Sequence, residues 1–241
     1  MRFLNAGDSA LVIEFGNEIA ESINRKLTFV VDAIDRAHIA GVRDMIPTYR
    51  SIMVNFDPLR VNTADIKAAA EEAEKRFAQS DVAASGVVVE IPVVYGGEYG
   101  PDMDFIVSHT GLSADEVIRR HSAPEYLIYM IGFVPGFTYL GGLPKELATP
   151  RLATPRQLIP GGSVGIAGEQ TGIYPMDSPG GWQLMGRTPL KVFDAGRAEP
   201  FLLAAGQYLK FVPVGEDEYK RIAEAVAAGS YEPKRRAKEA V

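Results

Sequence analysis

The chain has 241 residues, 46% apolar and 23% charged, which suits a globular protein of one or two domains. Its net charge of −6 argues against a protein that gathers on nucleic acid, because such binding runs on Lys and Arg against phosphate. There is no cysteine, which excludes disulfides, thiolate metal sites and a cysteine nucleophile. No apolar run approaches the ~20 residues of a membrane span, and Asp8 and Glu14 interrupt the stretch where a signal peptide needs continuity. A cytoplasmic protein is expected.

Residues 9–15 read as a strand ending at Gly16. Asn17 is expected to cap a helix whose inner face is Ile19, Ile23, Leu27, Val30, Val31 and Ile34. Within 45–56, Ile52, Val54 and Phe56 alternate with Met53 and Asn55, which predicts a strand with one buried face. Thr63 opens a second helix with Ile66, Ala69, Ala70, Ala73 and Phe77 inward. The order predicts a small N-terminal α/β domain, residues 1–82, with its helices on one side of a sheet. The small, polar run 78–86 reads as a linker.

Val87 to Val94 predicts a strand, and Pro92, which cannot donate to a ladder, suggests an edge position or a strand end. Asp102 and Asp104 fall in a turn-rich loop. Ser113 and Glu116 have the spacing of a capping box opening a short helix to His121. Beyond Tyr126, short strands and Gly/Pro turns alternate as far as Pro213. That is too many turns for a doubly wound sheet and predicts a closed or nearly closed β-barrel over 83–230. A last helix, with Tyr219, Ile222, Ala223 and Val226 on one face, stops at Gly229. Residues 231–241 carry Lys234, Arg235, Arg236 and Lys238 and read as a solvated basic tail. The fold class is α+β.

Gly161-Gly162-Ser163-Val164-Gly165 has the G-x-S-x-G spacing of a nucleophile elbow. That motif needs a histidine later in the chain, and His38, His109 and His121 all precede Ser163, so a tight β-turn is expected. Neither a P-loop nor a dinucleotide fingerprint is present. His109, His121, Asp102 and Asp104 form no convergent cluster, so no metal site is expected. The region 126–191 crowds polar and aromatic residues onto turns. Phe133, Phe137, Tyr139, Tyr174 and Trp182 are expected to wall a pocket or a partner surface, with barrel filling as the alternative. Arg151, Arg156 and Arg187 suit a phosphate or carboxylate, with Gln170, Thr171 and Ser178 as hydrogen-bonding partners; simple surface arginines are the alternative. The sequence names no general base.

Several of these stretches carry a resemblance. They are Gly7-Asp8-Ser9, Tyr95 to Asp102, Gly111 to His121, Tyr129 to Pro144, Thr154 to Arg156, Gly162 to Pro175 and Ser178 to Pro189. Together they resemble the KipI-like, allophanate hydrolase subunit 1 family over nearly the whole chain. The one departure is Pro160-Gly161-Gly162, where Pro-Ala-Gly is the expected form. The resemblance implies an N-terminal α/β domain followed by a cyclophilin-like barrel. It implies a subunit of an ATP-dependent 5-oxoprolinase that converts 5-oxo-L-proline to L-glutamate, with ATP and its Mg²⁺ as cosubstrate. The implied partners are a C subunit like allophanate hydrolase subunit 2, together with a hydrolase-like A subunit. The alternative it carries is a KipI-type inhibitor of a histidine kinase, or a subunit of a related urea or allophanate system. A peptidyl-prolyl isomerase would rest on fold analogy alone.

Overall fold

The computed structural model describes residues 1–79 and 86–238, which fall into two compact units. Most of the linker expected at 78–86, with its boundary at 82, lies outside the described residues.

The first unit runs β1 (Arg2–Asn5), β2 (Ala10–Glu14), α1 (Glu21–Arg36), β3 (Val42–Pro47), β4 (Ser51–Phe56) and α2 (Thr63–Ala78). Its strands form an antiparallel sheet in the order β1-β2-β4-β3. Alternate residues Leu11, Ile13, Ile52, Val54 and Phe56 point into one core with Leu27, Val30 and Ile34 of α1 and Ile66 and Ala70 of α2. The α2 start is as expected: the Asn62 side chain accepts from the Ala64 N–H at 3.0 Å. Asn17 does not cap α1. That helix begins at Glu21 after an extended Ala20 with no side-chain cap, and Ile19 is 59% exposed. The cause is Arg50, whose guanidinium donates to the Gly16 carbonyl and whose own carbonyl accepts from Phe15 N–H, holding the chain extended there. Likewise 45–56 is the tip and return strand of a hairpin rather than one strand. Thr48 turns it, its N–H donating to the Ser51 carbonyl and its hydroxyl accepting from Ser51 N–H.

The second unit contains β5 (Val87–Tyr95), α3 (Met103–Thr110), α4 (Ala114–Ser122), β6 (Tyr126–Ile131) and β7 (Thr138–Gly141). It continues with β8 (Arg156–Ile159), β9 (Ser163–Ala167), β10 (Gln170–Ile173), β11 (Ser178–Gly180) and β12 (Gln183–Arg187). It ends with β13 (Tyr208–Pro213), α5 (Glu216–Ala227) and β14 (Arg235–Ala237). One sheet follows the order β10-β9-β12-β5-β13-β6-β7, with β14 on β5, and its two ends, β10 and β7, lie side by side. The result is the nearly closed barrel the turn pattern predicts. Strands β8 and β11 pair with each other as a separate two-stranded piece.

Three local expectations are corrected here. Pro92 lies on neither an edge nor a strand end: β13 runs parallel along one side of β5, and β14 and β12 share the other. The ladder of β14 stops at Val89 and that of β12 starts at Val94, so Pro92 falls in the gap between them. Asp102 precedes a helix, α3, rather than a plain loop, and Gly111 closes that helix at φ +70°. Residues 235–237 are a barrel strand rather than part of a loose tail. Main-chain pairing holds them, and Arg236 and Lys238 reach the Glu125 carboxylate. The G-x-S-x-G stretch makes its expected turn at Gly161 and Gly162 and from Ser163 on is the start of β9. Gly162 sits at φ +83°, and the buried Ser163 hydroxyl donates to the Pro160 carbonyl at 2.7 Å.

Candidate functional site

A pocket of about 180 Å³ opens on the second unit, lined by Phe133, Phe137, Tyr139, Arg151, Gln170, Tyr174, Pro179, Gly180, Gly181 and Trp182. All of the aromatics expected to wall a pocket are therefore in one place. Phe137 is their hub. Its ring meets Tyr139 at 5.2 Å, Trp182 at 5.6 Å, Tyr174 at 6.1 Å and Phe133 at 6.1 Å, each nearly edge-on. Phe137, Tyr174 and Trp182 belong to a small buried cluster with Ile159 and Leu184, so their positions are set by packing. Gly180 is needed beside them, since a Cβ there would stand 2.4 Å from the Tyr174 hydroxyl. Burial raises the Tyr174 pKa, against a backbone hydrogen bond to Trp182 and the charges of Arg151 and Arg156. Phe133 differs from the rest: it is 79% exposed and its backbone is left-handed, at φ +68°.

The three arginines separate. Arg151 lines the pocket, is exposed, and has no hydrogen-bonding or ion-pair partner among the described residues. Its backbone is pinned on both sides. The Gln183 side-chain amide donates to the Pro150 carbonyl at 3.0 Å, and Leu152 N–H donates to the Gly181 carbonyl at 2.7 Å. Arg156 is absent from the lining and spends its guanidinium on Asp102, in a two-pronged pair at 2.7 and 3.0 Å. Asp102 also accepts Leu184 N–H at 2.7 Å, so this carboxylate ties the start of α3 to β8 and β12. Arg187 is not in the lining either; it lies over Tyr99 at 6.0 Å, its charge opposes the rise that burial gives the Tyr219 pKa, and its buried Nε has no hydrogen-bond partner among the described residues. In place of one triple-arginine cleft, one arginine lines the pocket, one is paired with Asp102 and one lies against Tyr99.

Among the expected hydrogen-bonding residues, Gln170 lines the pocket. The Ser178 hydroxyl is buried on β11 with no partner among the described residues. Thr171 faces away from the pocket into a closed network. His121 Nε2 lies 2.7 Å from the Thr171 hydroxyl, which itself donates to the Gly165 carbonyl at 3.1 Å. Thr171 must therefore accept from Nε2–H, which leaves Nδ1 to accept the Tyr95 hydroxyl at 2.9 Å. His121 is fully buried and stacked 4.5 Å from Phe211, and burial pushes its pKa down to about 3. Burial likewise raises the Tyr95 pKa well above its ordinary value.

The sequence pattern did not mark Gln183 as a support of the pocket loop, Asp102 as the partner of Arg156 or His121 as the centre of the buried network. The one local signal for Gln183 was its place next to Trp182 at the start of a strand.

A family model described as "Carboxyltransferase domain, subdomain C and D" matches residues 1–203. The B subunit of 5-oxoprolinase from Bacillus subtilis (strain 168) is 42% identical over 222 residues, spanning 88% of this chain and 92% of that protein. The chain belongs to the family of 5-oxoprolinase B subunits. The relative's name is that of one component of a multi-subunit enzyme. A conserved uncharacterized protein of Pyrococcus horikoshii superposes with a TM-score of 0.54 at 43% identity, over 90% of this chain and 100% of that one. The urea carboxylase of Kluyveromyces lactis shares the fold, with a TM-score of 0.77 at 21% identity. That likeness takes in 98% of this chain and 24% of the longer one. No helix among the described residues is long and apolar enough to cross a membrane.

Proposed function

We propose that the chain is a subunit of a cytoplasmic ATP-dependent 5-oxoprolinase that converts 5-oxo-L-proline to L-glutamate, and that its aromatic pocket takes the lactam ring. Family membership supports the reaction, and the pocket carries the residue assignment. Its 180 Å³ is below the roughly 300–1,000 Å³ of clefts for drug-sized ligands, so it suits a small ring rather than a nucleotide. ATP with its Mg²⁺ is accordingly assigned to a surface completed by the other components of the complex. These are a C subunit like allophanate hydrolase subunit 2 and, beside it, a hydrolase-like A subunit.

A lactam carbonyl is a weak electrophile, and ATP removes that barrier. The γ-phosphoryl group passes to the lactam oxygen and ADP leaves. Water adds to the ring carbon and the C–N bond breaks to give γ-glutamyl phosphate. A second water releases phosphate and L-glutamate. The faces and edges of Phe137, Tyr139 and Trp182 exclude bulk water from the ring, and Gln170 offers an amide to its polar rim.

The test is to copurify the three subunits and follow ATP hydrolysis with and without 5-oxoproline. Hydrolysis that rises with 5-oxoproline, and requires this chain, is expected. Hydrolysis indifferent to 5-oxoproline would overturn the reading.

A further inference from the structure

We infer that Arg151 is the specificity-determining residue of the pocket and selects a small ring bearing a carboxylate over the same ring without one. The identity of the ring rests on the function proposed above; the charge selection rests on the geometry.

Among the described residues that line the pocket Arg151 is the cation, and none of them is Asp or Glu. A guanidinium beside aromatic walls is a receptor for a planar anion when nothing internal neutralises it. Arg156 shows the opposite case, with both prongs already taken by Asp102. The backbone around Arg151 is fixed by the Gln183 amide on Pro150 and by Gly181 on Leu152, so only the side chain has to be ordered when an anion arrives. Gln183 is 2% exposed and lies outside the pocket lining, so its part is that of a positioning residue for the Arg151 loop. The walls receive the ring and Arg151 receives its acid group. A neutral ring would find the same walls and lose the ion pair.

Trp182 is the protein's single tryptophan and lines this pocket, so its fluorescence reports occupancy directly. The full chain would be titrated with 5-oxoproline and with 2-pyrrolidinone, which is the same ring without the carboxylate. Wild type is expected to bind 5-oxoproline about 10- to 100-fold more tightly, the range for a hydrogen bond to a charged group. Arg151→Gln is expected to level the two ligands without changing the 2-pyrrolidinone affinity more than about twofold, and Arg151→Lys to recover part of the difference. Gln183→Leu is expected to shrink the preference while thermal unfolding shows the chain still folded. Equal binding of the two ligands by wild type, no binding of either, or an intact preference in Arg151→Gln would each overturn the inference. If the preference is found but the assembled complex does not open 5-oxoproline, the proposed reaction fails and the charge selection stands.

Discussion

Gln170 and Thr171 are neighbours on β10, yet they serve two opposite kinds of polar site. Gln170 lines an open pocket in which Arg151 has no hydrogen-bonding or ion-pair partner among the described residues, whereas Thr171 joins a sealed chain, Tyr95–His121–Thr171–Gly165, in which every member is satisfied. Alternation along a strand puts the two side chains on different faces, so one strand can hold a barrel shut and furnish a binding surface. The sealed network spends its polar groups on stability. The pocket leaves its charge available to the ligand proposed for it. Deleting a member of the first should therefore cost folding, and deleting a member of the second should cost binding.

The largest expected effect lies in the sealed network. His121→Ala leaves the Tyr95 hydroxyl without a partner, takes the Nε2–H donor from the Thr171 hydroxyl while its bond to the Gly165 carbonyl stays, and opens a cavity beneath Phe211. A loss of about 3–5 kcal/mol in urea denaturation is expected, with the low end already severe for a domain. His121 also predicts a pH dependence. Its folded pKa, about 3, lies below the ordinary value near 6.5, so from pH 6.5 down to 3 the unfolded chain binds a proton that the folded chain refuses. Stability is retained above pH 6.5 and lost as pH falls, by up to about 1.4 kcal/mol per unit. His121→Gln removes that titration, so the wild-type advantage over it should shrink between pH 7 and pH 4. A constant gap across that range would show that His121 does not carry the effect.

Arg156→Ala comes next and separates its two possible roles. The Asp102 carboxylate keeps its Leu184 N–H but loses both guanidinium bonds, at a site where Arg156 is 31% exposed. A loss of about 2 kcal/mol is expected, below the cost for a fully buried pair because solvent screens part of it. The preference of the pocket for 5-oxoproline over 2-pyrrolidinone should remain within about twofold of wild type. If stability holds and the preference vanishes, Arg156 belongs to the ligand and the contrast drawn with Arg151 breaks.

The aromatic walls were legible in the sequence because large apolar side chains crowded onto Gly/Pro turns have few places to go besides a core or a pocket. The helices of the first unit were legible for a similar local reason, the 3.6-residue recurrence of Leu27, Val30 and Ile34 in one and of Ile66, Ala70 and Ala73 in the other. What the arginines do was not legible. Arg156 is 54 residues from Asp102, and His121 is 50 from Thr171, and no local pattern records which of several polar groups will meet at that separation. Strand β14 escaped for another reason. Its pairing with β5 uses main-chain groups, which every sequence possesses, so a short charged segment reads as tail until the barrel supplies an unpaired edge.

The smallest effect is at Phe133, and its sign is the informative part. A bulky residue at φ +68° carries strain of order 1 kcal/mol, and at 79% exposure the side chain returns little burial to offset it. Glycine adopts that backbone without strain, so Phe133→Gly is expected to leave stability unchanged or raise it by up to about 1 kcal/mol in thermal unfolding. The same change removes a wall that meets Phe137 at 6.1 Å, and the affinity for 5-oxoproline read from Trp182 should fall several-fold. A strained, exposed aromatic that weakens folding while improving binding is retained for the pocket. Were the variant less stable and equally good at binding, Phe133 would be a packing residue, and the division between groups kept for the fold and groups kept for a ligand would not run through this loop.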